Sequence, residues 1–260
     1  MSFEIIDFHT HPFSDVRTNI CAHKDFCRMS ADNTREIFAS LNVTKICGSV
    51  ISLSKKTAWA DIQKNNAAAL KLRELYGDFY VPGFHVHPHY VDESIAEIRR
   101  MSSLRINLIG ELVPYLDGWE DYSSEEFSHL LDEAAKHNMV VSLHSWDKYD
   151  NSMDNMLQHH RDIIVVGAHP GEYPDFMRHI ERMKRFENYY LDISGLGPHR
   201  YGMLRRAIDE VGADRILFGS DFPTCSPATF IGSVLLDPLL TDSEKEQIFS
   251  QNAKRLLRFI

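Results

Sequence analysis

The segment Ile5-Ile6-Asp7-Phe8-His9-Thr10-His11-Pro12 brings chemically capable side chains together at the start of the chain. Its apolar residues predict a buried strand, which Pro12 ends. Side chains alternate across a strand, so Asp7, His9 and His11 share one face while Ile6, Phe8 and Thr10 share the other. Two imidazoles two residues apart can converge on one divalent ion, because neutral ring nitrogens suit zinc and its transition-metal neighbours. Taken alone, His-x-His is more often an ordinary polar strand end. The later strand ends carry the decision.

Those ends hold the same kinds of residue. Glu111 closes the run Ile106–Glu111, His144 closes Met139–His144, His169 follows a strand beginning at Ile163, and Asp221 follows Arg215–Gly219. A fourth histidine group, His85, His87 and His89, ends the run Phe79–His87. Two histidine pairs would overfill one site, so His87 is read as a substrate contact; His85 is equally well a structural group, and His89 falls in the following loop. Trp146, Asp147, His199 and Arg200 lie just past strand ends and are candidate pocket residues. Arg200 could hold a substrate carboxylate through two hydrogen bonds, or simply be an exposed arginine at a helix start. Asp192 could support a ligating histidine or cap a turn.

These residues need elements to carry them. Strands are expected at Val43–Ser52, Phe79–His87, Ile106–Glu111, Met139–His144, Ile163–Gly167, Tyr189–Ser194 and Arg215–Gly219, after the first at residues 5–11. Helices are expected near 33–41, 61–76, 93–101, 123–137, 152–160, 173–186, 201–211 and 243–259. Ala67, Leu70, Leu72 and Leu75 supply the apolar positions of the second, and Ser123 with Glu126 has capping-box spacing for the fourth. Alternating strands and helices imply a parallel sheet, and eight such units suit a single (β/α)8 barrel domain over residues 1–260. In a barrel of this kind the strand C-terminal ends share one face, where the candidate ligands fall. Residues 12–32 form a connection long enough to be a lid, in which Arg17, His23, Lys24 and Arg28 could hold an anionic substrate; a solvated surface loop is the plainer reading.

Composition narrows the partners. The chain has 260 residues, 43% of them hydrophobic, with 28 basic and 37 acidic residues and a formal charge of −9. No Lys/Arg run offers a phosphate-backbone footprint, so nucleic acid is not expected as a partner. No stretch reaches membrane-spanning length and the start has no targeting pattern, so no membrane association and a cytoplasmic location are expected. Cys21, Cys27, Cys47 and Cys225 lack metal-binding or disulfide spacing and are read as free thiols. A small-molecule substrate is expected, and a homo-oligomer is allowed.

With these residues in view, the chain resembles the amidohydrolase superfamily of metal-dependent (β/α)8 enzymes, in particular its amidohydrolase-related branch. The resemblance runs from Ile5–His11 through Leu217-Phe218-Gly219-Ser220-Asp221-Phe222-Pro223 to Ile248-Phe249-Ser250-Gln251-Asn252-Ala253. It implies that His9, His11 and Asp221 hold a first divalent metal, zinc or else manganese, completed by His144 or His169. Many two-metal members place a carboxylated lysine at the end of strand four, where this chain has Glu111. Some subgroups bridge two ions with a glutamate there, which would give a second ion held by Glu111, His144 and His169. The resemblance also implies hydrolysis of a small amide, ester or lactone by metal-activated water, with Asp221 as metal ligand and proton shuttle. The alternative is a metal-dependent decarboxylase of an aromatic or unsaturated acid, an activity also found in this branch. A non-catalytic metal or metabolite binder and a phosphoester hydrolase are weaker readings.

Overall fold

Short β-branched and aliphatic runs form eight parallel strands in the computed structural model, which describes residues 3–13, 20, 31–52, 58–196 and 200–258. They are β1 (Ile5–Asp7), β2 (Val43–Gly48), β3 (Tyr80–Phe84), β4 (Leu108–Leu112), β5 (Val140–His144), β6 (Ile164–Ala168), β7 (Tyr189–Asp192) and β8 (Ile216–Leu217). They pair in sequence order, β1 to β8. Hydrogen bonds beyond the regular strands close the ring: Phe8 N–H donates to Phe218 O, Asp221 N–H to His9 O, and His11 N–H to Phe222 O. The result is the expected (β/α)8 barrel. Most strands are shorter than their apolar runs.

The helices are α1 (Ala31–Ser40), α2 (Trp59–Tyr76), α3 (Val91–Ser103), α4 (Pro114–Asp117), α5 (Glu125–Lys136), α6 (Asp150–His159), α7 (Tyr173–Arg185), α8 (Met203–Val211), α9 (Pro227–Leu235), α10 (Asp242–Glu246) and α11 (Asn252–Leu257). Neither α4 nor α9 is foreseen from sequence periodicity, since α4 is a single turn and α9 is apolar with a weak amphipathic pattern. The predicted last helix divides into α10, a wider turn at Gln247–Gln251, and α11. Helix α5 starts one residue later than its expected cap: Ser124 Oγ accepts from Phe127 N–H, while Ser123 Oγ donates to Asp121.

The large core lies between barrel and helices. A second cluster takes residues from every strand, among them Ile6, Cys47, Val81, Leu108, Val140, Val166, Tyr190 and Leu217, with Leu256 and Leu257 from α11. A barrel interior filled in this way is a rigid base for what sits above it. Helix α2 departs from its sequence reading: Leu75 is exposed, and the buried face includes Asn65 and Asn66. Asn66 donates to His85 O and to Glu97, and its Oδ1 accepts from His85 N–H, so it splices α2 to β3 and α3. Among the described residues no helix is long and apolar enough to cross a membrane.

Candidate metal centre

Six side chains meet at the C-terminal mouth of the barrel: His9 and His11 past β1, Glu111 on β4, His144 ending β5, His169 just past β6, and Asp221 past β8. Three overlapping groups, His9/His11/Glu111, Glu111/His144/His169 and His9/His169/Asp221, each bring their ligand atoms within 4.8 Å of one another. His169 and Asp221 both adopt φ above +60°, an uncommon conformation for residues with side chains that His and Asp tolerate better than most.

Glu111 is the centre of the set. Its Oε2 lies 3.3 Å from His11 Nε2 and 3.5 Å from His9 Nε2, while its Oε1 lies 2.9 Å from His144 Nδ1 and 3.1 Å from His169 Nε2. Each carboxylate oxygen thus faces one histidine pair. Asp221 Oδ1 stands 3.4 Å from His11 Nε2 and 3.8 Å from His9 Nε2, on the side nearer the open cavity.

The opposite ring nitrogens fix how these histidines present themselves. His11 Nδ1 is 3.0 Å from the Ser49 carbonyl, which can only accept, so that nitrogen carries the proton. His9 Nδ1 is 2.9 Å from Asp192 Oδ2, likewise an acceptor. In neutral rings both Nε2 atoms are then bare lone pairs, yet they face each other at 3.0 Å. Such an approach repels unless positive charge lies between them. The same shortage of positive charge shows in the titration tendencies. Burial opposes charge on His9, His11 and His169, but Asp192, Glu111 and Asp221 outweigh it and raise all three. Burial likewise opposes ionisation of Glu111 and Asp221, but the surrounding histidines hold both below the usual carboxylate range. Neutral imidazoles and anionic oxygens turned onto one point suit a divalent ion such as zinc or manganese.

A cavity of about 820 Å³ opens over this cluster, lined by His144, His169 and Asp221 below and by Tyr115, Trp146, Asp147, Lys148, Arg178 and Leu196 around it. Trp146 is 50% exposed and edge-on to Tyr115, and Lys148 Nζ lies 4.6 Å from the Trp146 ring centre. Arg178 is held by Asp150 and Asp175. Glycine is required at Gly195, where φ is +61° and a Cβ would fall 2.4 Å from His169 Nδ1.

Two expected substrate contacts stand elsewhere. His87 is fully buried, with Nε2 2.9 Å from Asp117 O and Nδ1 accepting from His89 N–H, so both ring nitrogens are spent on backbone groups below α4. Arg200 is 62% exposed at its side chain and pairs with Glu172 at 3.1 Å, outside the cavity lining. His85 Nε2 lies 3.0 Å from Val50 O, a structural position. His199, Arg17, His23, Lys24, Arg28, Cys21 and Cys27 lie outside the described residues; Cys47 and Cys225 are free thiols. The sequence reading missed Tyr115, Lys148, Arg178 and Ser194. Ser194 alone had a signal, standing two residues after Asp192 on the same strand face.

Solved structures share this architecture. A probable 2-pyrone-4,6-dicarboxylic acid hydrolase from Acinetobacter baumannii, with citric acid bound, is 19% identical over 100% of both chains, with a TM-score of 0.74. A dihydroxybenzoic acid decarboxylase from a Polaromonas species, with bound manganese and the inhibitor 2-nitroresorcinol, is 14% identical over 98% of this chain and 97% of its own, also at 0.74. An uncharacterized TIM-barrel protein from Bordetella bronchiseptica is 20% identical over 98% of both chains, at 0.77. Identities this low show the fold alone. No curated protein matches the sequence. The model of the amidohydrolase family matches residues 6–259, and the chain belongs to that family.

Proposed function

We propose that this enzyme is a two-metal hydrolase of a small-molecule amide, ester or lactone. The observation that supports this reading is Glu111, whose two oxygens face separate histidine pairs. His9, His11, Asp221 and Glu111 Oε2 would hold one divalent ion; His144, His169 and Glu111 Oε1 would hold the second. When bound, such ions supply Lewis acidity and lower the pKa of water to about 7.

The chain's own residues do the rest. Asp221 lies at the boundary between the buried histidines and the cavity, and its neighbours keep it ionised. It is therefore placed to take a proton from the attacking water and return it to the leaving group. Tyr115 and Trp146 give the substrate an aromatic wall, and Lys148 adds a cation beside it. That wall also favours a second reading, a decarboxylase of an aromatic acid, in which Asp221 would relay a proton from water or from the substrate's own acidic group to the ring carbon that loses carbon dioxide.

Product analysis separates the two. Turnover of a screened amide, ester or lactone in ¹⁸O-water should place one ¹⁸O in the product acid and release no carbon dioxide. Carbon dioxide release from aromatic or unsaturated acids, without ¹⁸O incorporation, would overturn the hydrolase reading.

A further inference from the structure

We propose that Ser194 is a positioning residue which extends the reach of one buried carboxylate, Asp192, so that a single group sets the tautomers of both His9 and His169. Asp192 and Ser194 are each 0% exposed. Three polar hydrogens converge on the carboxylate: His9 Nδ1–H on Oδ2 at 2.9 Å, Ser194 N–H on Oδ1 at 3.0 Å, and the Ser194 hydroxyl on Oδ1. A serine has one hydroxyl proton, and Asp192 takes it. Only lone pairs of Oγ remain for the nitrogens beside it, His169 Nδ1 at 3.1 Å and His9 Nδ1 at 3.0 Å.

An oxygen that can only accept requires a donor, so His169 must carry its proton on Nδ1. Its Nε2 lone pair is then turned toward Glu111 Oε1, 3.1 Å away. His9 is oriented by Asp192 directly, and His169 by Asp192 through the Ser194 hydroxyl. The two rings come from strands on either side of β7 and β8, and belong to different halves of the centre. One carboxylate therefore prepares both halves, and Glu111 completes the link from the opposite wall. The hydroxyl adds no charge at His169, which a second carboxylate would do.

The consequence for metal rests on the two-ion reading above; the tautomer assignment does not. The test uses the chain labelled with ¹⁵N-histidine, before and after zinc addition, across a pH series carried above the titration of the rings. Long-range proton–nitrogen correlations should show His169 wholly as the Nδ1–H tautomer. In Ser194→Ala, at unchanged melting temperature, His169 should become a mixture while His9 keeps its tautomer. Zinc competition with a chromogenic chelator should then show the weaker equivalent loosened about 10- to 100-fold and the tighter one unchanged. Asp192→Asn should disturb both rings and both equivalents.

Unchanged His169 in Ser194→Ala, or an equal shift of His9, would overturn the proposal, and a shifted tautomer with unchanged zinc affinity would overturn its consequence for metal. A wild-type chain that binds a single zinc would sink the two-ion reading, and the tautomer measurement would still decide the role of Ser194.

Discussion

Glu111→Gln separates a bridging carboxylate from a mere pocket carboxylate. The side chain is 3% exposed, and its oxygens lie 2.9 to 3.5 Å from four imidazole nitrogens, two on each side. Glutamine has nearly the same shape but one oxygen, so its amide nitrogen must face one of the two pairs. That half loses an anionic ligand and gains two hydrogens where an ion would sit. Removing one partner from a buried charge pair costs about 3–5 kcal/mol. At about 1.4 kcal/mol per tenfold, the affected ion should bind about 100- to 3,000-fold more weakly. The assay is metal content per chain by elemental mass spectrometry, on protein purified without chelators or affinity-tag nickel. Wild type should hold two equivalents and the variant one or fewer. Two equivalents retained in the variant, or one in both proteins, would refute the bridging argument, and the second result would put the decarboxylase reading ahead.

Further outcomes follow from other parts of the molecule. Asp221→Asn should cut turnover by about 10²- to 10⁴-fold at nearly unchanged melting temperature, and near-normal turnover would remove Asp221 from its proposed role. Asn66→Ala leaves the buried N–H and C=O of His85 without their side-chain partner, so urea denaturation should register a loss of about 2–4 kcal/mol; less than about 1 would show that the splice carries no load. Hydrogen bonds from Arg99 and Lys136 lower the Glu133 carboxyl from 4.5 to about 2, so its stabilisation is complete above pH 4.5 and lost as pH falls through about 2. Because both cations are exposed, Glu133→Gln should cost only about 0.5–1 kcal/mol at pH 7, and only a small part of that at pH 2. A difference that persists unchanged at pH 2 would contradict that account.

Much was determined by the sequence alone, for identifiable reasons. Eight apolar runs separated by helix-length segments imply a parallel barrel, and a barrel exposes one set of strand ends on one face. The His9/His11 spacing and the strand-end positions of Glu111, His144, His169 and Asp221 were therefore enough to bring six side chains to one place. The same rule failed for His87, which sits at an equivalent strand end but is covered by α4, a one-turn helix that Pro114 and Gly118 define and no periodicity reveals. It failed for Arg200, because a pairing with Glu172 depends on where two loops come to rest.

Tertiary structure alone decided which histidine nitrogen faces the centre. For His11 that choice is made by the Ser49 carbonyl, for His9 by the Asp192 carboxylate and, on the proposal above, for His169 by the Ser194 hydroxyl, all reached from distant parts of the chain. Every residue has a carbonyl, so the Ser49 partner carries no mark in the sequence, and Asp192 and Ser194 are marked only by sharing a strand face. Strand periodicity says which side of the sheet a ring occupies; only the packing of neighbouring strands and loops says which of its two nitrogens holds the proton.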